Sequence, residues 1–117
     1  MAKFEIFKDK EGKFRFRLKS GNGQTIIASQ GYTTKKSCMN GISSVKKNSQ
    51  GNINFEQLRS KDGSHYFNLI AQNKLVIGTS QMYSSSKAME QGINSVKKNA
   101  IAAEIIEIKV NFLHFQK

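Results

Sequence analysis

The sequence contains one pattern twice, and this repetition limits the folds open to the chain more than any other feature. A shift of 51 residues aligns GISSVKKN, residues 41–48, with GINSVKKN, residues 92–99, and the two differ at one position. From Phe4 onward the same shift gives 19 identities in 46 pairs without a gap. Self-similarity at a fixed offset indicates tandem structural units. The predicted copies are residues 3–50 and 54–101, within a single domain of residues 1–117.

Each copy opens with three predicted strands. In FRFRLK, residues 14–19, apolar residues alternate with charged ones, and a period of two is typical of a strand with one buried face. A shorter β-prone segment precedes this strand, and the turn 21–23 leads to a third strand. The corresponding turn of the second copy, 72–74, lacks glycine, so we expect Asn73 to adopt the positive φ there.

A helix is predicted to end each copy. Hydroxyl residues that can cap a helix follow Tyr32 and Tyr83, and the apolar residues after them recur at i, i+4 and i+7. Cys38 lies on this apolar stripe, so we interpret it as a small core residue rather than a nucleophile. A last strand is predicted at about 104–115. The expected fold class is α+β, with tandem duplicated β-β-β-α units forming one antiparallel sheet and two helices on one face.

Several motifs together resemble one known family. They are FEIFKDKEG, FRFRLK, NGQTI, GYTTK and GISSVKKN in the first copy, and YFNL to SQMY in the second. This combination resembles the YegP-like family, small bacterial proteins whose domain is of unknown function, over about residues 3 to 100. The resemblance implies a unit of three strands and a helix, in tandem or as a dimer of single units, with exchanged C-terminal strands in one sheet. The family brings no established activity, cofactor or catalytic residue.

The net charge of +11 favours an anionic partner. The charge is uneven, because residues 1–50 carry a net +8 and the rest of the chain carries +3. Arg15, Arg17 and Lys19 are predicted to project from the open face of the sheet, and the second copy has no cation at these positions. They are candidate anion-binding residues for nucleic acid or an acidic protein. The alternative is a solvated strand face whose long side chains cover nearby apolar surface.

The segment GKFRFRL, residues 12–18, superficially resembles the base-stacking strand of an RNA-recognition motif. Its parity argues against that function, because Phe14 and Phe16 share a face with Leu18, and this face is expected to form the core. Phe7 and Tyr66 have the opposite parity. They are therefore the candidate exposed aromatic residues.

The sequence lacks the usual patterns of catalysis and cofactor binding. One cysteine and two widely separated histidines cannot form a typical four-ligand zinc site, and no phosphate-binding loop or nucleophile elbow is present. The first residues lack the features of a secretory signal, and no apolar run is long enough to span a membrane. We therefore expect a cytoplasmic protein that is not an enzyme and has no cofactor, metal site or membrane partner.

Two functions from different classes remain open. The first is a small basic binding module for an anionic partner, either nucleic acid or an acidic protein. The second is a structural or self-assembly module that uses strand exchange and the apolar tail, residues 105–115. Salt distinguishes them, because charge-driven binding to nucleic acid weakens steeply with ionic strength and association through an apolar tail does not.

Overall fold

A computed structural model of the chain describes residues 1–51 and 54–109. Within them, three strands and a helix occur twice in succession, and a seventh strand follows. The strands are β1 Lys3–Lys8, β2 Phe14–Lys19, β3 Thr25–Ala28, β4 Phe55–Arg59, β5 His65–Ile70, β6 Val76–Ser80 and β7 Glu104–Glu107. The helices are α1 Lys35–Asn48, between β3 and β4, and α2 Ser86–Asn99, between β6 and β7.

All seven of these strands join one sheet, in the order β4-β5-β6-β3-β2-β1-β7. Neighbouring strands are antiparallel, except that β7 runs parallel to β1. The expectation of a wholly antiparallel sheet is therefore wrong, and the sheet is mixed. β1 and β7 lie near opposite ends of the described chain, so no hairpin connects them and requires an antiparallel pairing.

The stretches that follow the two helices both contain strands, as the alternation predicts. β7 covers Glu104–Glu107, residues 108 and 109 do not continue the strand, and the rest of the predicted final strand, 110–115, lies outside the described residues. The sequence of residues 52–58 also predicts a strand, which ends the first copy and opens the second. It corresponds to β4, although residues 52 and 53 lie outside the described part of the chain. The four residues of β7 are all exposed.

One hydrophobic core lies between the sheet and the two helices. Phe16 and Leu18 of β2 are fully buried, and so are Phe67 and Leu69 at the equivalent positions of β5. Both helices pack against this face of the sheet. Phe14 is half-buried at the margin, although its parity predicts a core position. Among residues 1–51 and 54–109, no helix covers the opposite face of the sheet, which we call the open face.

Each helix begins at a hydroxyl cap, as predicted. The Thr34 hydroxyl oxygen accepts a hydrogen bond from the Ser37 amide at 3.0 Å, and the Ser85 hydroxyl oxygen accepts one from the Ala88 amide at 3.0 Å. These bonds satisfy backbone amides that have no partner within the helix. The caps fix where each helix starts, and therefore which residues face the sheet.

A glycine in the middle of each helix makes room for a tyrosine. The Tyr32 ring stacks on Phe16 with an interplanar angle of 15°, and a Cβ at Gly41 would lie only 2.5 Å from the tyrosine hydroxyl oxygen. In the second half, a Cβ at Gly92 would lie even closer to the hydroxyl of Tyr83. Each glycine therefore allows the helix to pack directly over the tyrosine that precedes it.

The two halves meet at a short pairing between β3 and β6. Ile27 pairs with Ser80, and Ala28 pairs with Thr79. Ile27 and Gly78 occupy equivalent positions in the repeat, and they are neighbours at this junction. A Cβ at Gly78 would lie 3.1 Å from Cδ1 of Ile27. The glycine of one half therefore accommodates the isoleucine of the other.

Candidate functional site

The cations predicted from the sequence lie together on the open face of the sheet. Arg17 lies directly across from Glu5 of β1, and Arg15 and Lys19 lie on either side of it along β2. Their side chains are 38%, 35% and 24% exposed for Arg15, Arg17 and Lys19 respectively. The alternation thus predicted correctly which side chains share this face.

Each of these cations has an acidic partner within the protein. Arg17 Nε donates to the Glu5 carboxylate at 2.7 Å, and Lys19 Nζ lies 3.8 Å from the same group. Arg15 Nε donates to the Asp9 carboxylate at 2.6 Å, which holds the pKa of Asp9 below its usual value. Much of the positive charge of this trio is therefore compensated internally.

Glu5 is a buried carboxylate surrounded by cations. Its residue exposure is 4%, and Lys3 Nζ is a third cation within 3.8 Å. A buried charge is costly unless it is paired, so these cations offset the cost of burying the Glu5 carboxylate. The equivalent Glu56 is exposed, and Asn68 Nδ2 donates to it at 3.4 Å.

The two candidate exposed aromatic residues are half-buried. Phe7 is covered by Arg17, whose Cζ lies 4.7 Å from the ring centre, a typical cation–π distance. Tyr66 lies across from Leu58 on the neighbouring strand. Both rings are thus partly accessible, and the Phe7 ring is the one that a cation covers.

Other reactive groups form no recognisable centre. Cys38 is fully buried, and burial raises the pKa of its thiol to about 11, so the nucleophilic thiolate is scarce at neutral pH. Among residues 1–51 and 54–109, no three His, Cys, Asp or Glu side chains come together as a metal site. No helix in this part of the chain has both the length and the apolar character needed to cross a membrane.

A second basic surface, which the sequence patterns did not predict, lies on the helices. α1 and α2 together carry seven lysines and one acidic residue, Glu90, for a formal charge of +6 out of the total +11. Lys35 pairs with Glu107 at 2.5 Å, and this hydrogen bond lowers the pKa of Glu107. The helical layer therefore holds about half of the net charge of the protein.

One stripe has the same chemistry on both helices. The α1 stripe is Lys36, Asn40, Ser44 and Lys47. The α2 stripe is Lys87, Gln91, Ser95 and Lys98. The spacing i, i+4, i+8 and i+11 places each set along one side of its helix. The lysines and amides are exposed, the serines are half-buried, and three of the four positions are identical between the copies.

The stripe lysines differ from the other lysines near the helix ends. Within the described residues, none of the four lies within ion-pair distance of a carboxylate. By contrast, the Nζ atoms of Lys46 and Lys97 lie over the rings of Phe4 and Phe55, at 5.8 and 5.6 Å from the ring centres. The sequence repeat could have revealed the stripes, because Lys36 aligns with Lys87 and Lys47 aligns with Lys98 at the 51-residue offset.

A polar groove of about 250 Å³ lies beside the α2 stripe, between α2 and the turn that joins β2 to β3. We call it the α2 groove. Its polar lining consists of Ser20, Asn22, Gln24, Gln81, Gln91 and Ser95. Ile26, Tyr83, Ala88 and Gly92 complete the lining. None of these ten side chains carries a charge at neutral pH.

The α1 groove, of about 270 Å³, lies at the equivalent position beside α1 and the turn between β5 and β6. It is lined by Ser44, Lys47, Asn48, Ala71, Gln72 and Asn73. Ala71 and Leu75 are the counterparts of Ser20 and Gln24. Of these two, only Ala71 lines the α1 groove, whose hairpin side therefore lacks the serine hydroxyl of the α2 groove, and whose helix side includes the cation Lys47.

A family model described as "Domain of unknown function (DUF1508)" matches the chain twice, over residues 9–55 and 60–107. The chain belongs to this family. A UPF0339 protein in the ptx operon 5' region of Stutzerimonas stutzeri is 49% identical to this DUF1508 chain over 105 residues, covering 90% of this chain and 95% of the relative. The UPF0339 protein YegP of Escherichia coli K12 is 44% identical, covering 87% and 93%. The resemblance to YegP-like proteins is thus confirmed.

Two solved structures have the same fold as this DUF1508 chain. The solution NMR structure of E. coli yegP, a protein of unknown function, superposes with a TM-score of 0.89 at 41% identity, covering 94% of this chain and 95% of that one. The solution NMR structure of a UPF0339 protein from Shewanella oneidensis gives 0.88 at 41% identity, covering 97% and 96%. These relatives fix the family and the fold but assign no activity.

Proposed function

We propose that this DUF1508 protein is a small, non-enzymatic binding module for nucleic acid in the cytoplasm, and that the α1 and α2 stripes form its contact surface. The observation that carries the proposal is the repetition of the stripes. Two exposed lysines flank an amide and a serine on each helix, and these lysines have no carboxylate partner among the described residues. Exposed lysines of this kind contribute little to folding, so their recurrence supports a role in binding.

Binding through lysines to a phosphate backbone has a characteristic salt dependence. Each phosphate that a cation neutralises releases counterions, so affinity falls as salt rises. If all four stripe lysines contact a single strand, the slope of log affinity against log salt is about −3. The contact is largely independent of sequence, because phosphates carry no sequence information.

Arg15, Arg17 and Lys19 form a second candidate surface within this proposal. Their charge is offset by Glu5 and Asp9, so we assign them the smaller contribution. An acidic protein is the alternative partner for either surface. Competition with an acidic polypeptide distinguishes the two partners, since a polypeptide lacks the regular phosphate spacing of a strand.

The proposal is tested by titrating the protein with short single-stranded and duplex oligonucleotides at low and at physiological salt. The stripe variant replaces all four stripe lysines with glutamine. A charge-matched control replaces four other exposed lysines with glutamine: Lys10, Lys13, Lys61 and Lys74. A third variant replaces Arg15, Arg17 and Lys19 with alanine.

We expect the wild type to bind weakly at low salt and the stripe variant to lose about tenfold or more in affinity. The control should lose about threefold or less, because its lysines are dispersed over turns. The proposal is wrong if the wild type does not bind at low salt, or if the control loses as much as the stripe variant. If the alanine variant loses more affinity than the stripe variant, the main contact surface is the open face of the sheet and not the stripes.

We propose further that the two halves arose by tandem duplication of a β-β-β-α unit and that the strands after the helices are exchanged between units. Three observations support this history. The family model matches each half separately. The strand that follows α1 pairs with β5, and the strand that follows α2 pairs with β1.

Self-assembly is the second candidate function, and one observation favours it. Among the described residues, β7 covers the outer edge of β1, whereas the outer edge of β4 has no strand partner. An uncovered edge is a template for pairing with another strand. On β7, Ile105 and Ile106 are 41% and 37% exposed. We expect light scattering at high salt to show concentration-dependent dimers under this alternative, and a monomer at every concentration would contradict it.

A further inference from the structure

We propose that the α2 groove holds an unpaired base of a single-stranded nucleic acid whose backbone lies along the α2 stripe. The inference rests on the proposed function, because the stripe lysines hold the backbone in place. It adds the form of the ligand, which is a strand with accessible bases rather than a duplex. It also distinguishes the two grooves, which the proposed function does not.

The chemistry of the α2 groove suits a base and not a phosphate. Its lining is uncharged although the protein carries +11, so no side chain within the groove can form an ion pair with a phosphate. The side chains of Gln24, Gln81 and Gln91 each provide two amide donors and a carbonyl acceptor, and Asn22, whose carbonyl oxygen is engaged within the turn, provides two donors. Base edges present donors and acceptors in the same plane, and amide side chains are well suited to pair with them.

The position of the α2 groove relative to the lysines also suits a strand. Gln91 and Ser95 line the groove and belong to the α2 stripe, whose ends are Lys87 and Lys98. These two lysines are eleven residues apart, which corresponds to about 16 Å along the helix axis. A cation therefore lies near each end of an uncharged polar groove. This arrangement matches phosphates on both sides of a single bound base.

The hairpin side of the α2 groove is held in shape before any ligand binds. The Ser20 hydroxyl donates to Asn22 Oδ1, and the backbone amide of Gln24 donates to the same oxygen at 3.1 Å. The backbone amide of Ser20 also donates to the backbone carbonyl of Gln24 at 2.9 Å. A groove wall that is already ordered loses little conformational entropy on binding.

A base can enter the groove only if it is unstacked and unpaired, which is why a single strand is the expected ligand. The α1 groove differs in a way that disfavours a base. Ala71 replaces Ser20 in its lining, Leu75, the counterpart of Gln24, does not line it, and Lys47 does. We therefore assign the α1 groove to the backbone and the α2 groove to the base.

The test compares two fluorescent probes at low salt by anisotropy. One is a mixed-sequence single strand of about twelve nucleotides, within the usual site size of single-strand binders, and the other is an abasic strand of the same length. We expect the wild type to bind the base-bearing strand about tenfold more tightly. A duplex of the same sequence should bind no better than the abasic strand.

The variant for the groove is Ser20→Ala with Gln24→Leu. These are the residues at the equivalent positions of the second half, so the fold already accepts them at such sites. We expect this double variant to bind the base-bearing strand only as tightly as the abasic strand, with its affinity for the abasic strand unchanged. The mirror variant, Ala71→Ser with Leu75→Gln, is the matched control and should retain the wild-type preference.

The outcomes separate this inference from the proposed function. Equal binding of the two strands by the wild type, or an unchanged preference in the groove variant, overturns the inference and leaves the backbone contact intact. Failure of the wild type to bind either strand overturns the proposed function and the inference with it. Loss of preference in the mirror variant but not in the groove variant assigns the base to the α1 groove and overturns the inference as stated.

Discussion

At the residue scale, Glu5 and Glu56 illustrate how one repeated position can have two roles. They align in the repeat, yet Glu5 is buried beside Arg17, whereas Glu56 is exposed beside Asn68. Alternation along β2 predicted that Arg15, Arg17 and Lys19 share a face. It could not predict their acidic partners, because those lie on or next to β1 and depend on how two strands pair.

Replacing Glu5 with glutamine should lower the free energy of unfolding by about 2 kcal/mol, because a buried group then loses charged hydrogen bonds to its neighbours. Urea denaturation measures this loss. Glu56→Gln is the matched control and should change stability by less than about 0.5 kcal/mol, since Glu56 is exposed. Equal effects of the two substitutions would show that the cations around Glu5 add nothing to stability.

The turn between β5 and β6 shows a second limit at this scale. The positive φ, 72°, belongs to Lys74 rather than to Asn73, the residue that the sequence suggested. Lys74 aligns with Gly23, whose φ is 87°. The position within the turn decides which residue takes the left-handed conformation, and the asparagine at the preceding position instead accepts a hydrogen bond from Leu75 at 3.1 Å.

At the scale of the element, caps and apolar spacing were sufficient to predict both helices. Each spans 14 residues and begins directly after its hydroxyl cap. The parallel edge formed by β1 and β7 was not predictable, because local alternation does not specify a partner about 100 residues away. The stripes are not marked by any local pattern. Lys47 and Lys98 lie in the last helical turn, where the helix dipole already accounts for a lysine, so only the repeat distinguishes them.

Gly92→Ala provides a prediction for α2. An alanine in a helix interior usually adds about 1 kcal/mol of stability over glycine. Here the new Cβ would collide with the Tyr83 hydroxyl, so we expect a net loss of about 1 to 3 kcal/mol from overpacking. Thermal and urea denaturation both report the change.

A second substitution identifies the cause of that loss. Tyr83→Phe removes the hydroxyl that the new methyl group meets, so the double variant should recover part of the stability lost in Gly92→Ala. A stability increase in Gly92→Ala alone would mean that the helix can move away from the sheet without cost. In that case the glycine would not be required for packing over Tyr83.

At the scale of the whole molecule, the two halves are joined by strand pairing, of β3 with β6 and of β1 with β7, and by both helices. The pairing between β3 and β6 consists of two residue pairs. However, α1 also packs on β5 and β6, and α2 also packs on β3. Each helix thus rests on strands of both halves, and we expect the halves to unfold together.

Phe67→Ala tests this coupling. Removing a fully buried phenylalanine should cost about 3 to 5 kcal/mol. Because the core is shared, amide hydrogen exchange should accelerate in β2 as well as in β5. Retention of wild-type protection in β2 would show that the first half is stable by itself. Phe14→Ala, at a half-buried position, should cost less and serves as the comparison.

The contact of Ile27 with Gly78 has a consequence for how the two halves could evolve. A molecule assembled from two first halves would bring two isoleucines against each other at the junction, and one assembled from two second halves would leave two glycines and a gap. Neither half would therefore pack well against a second copy of itself at this junction. Because each half fits the other half and not itself, the two sequences can diverge. The first half carries the buried charge network around Glu5, and the second half has different residues on the open face of the sheet.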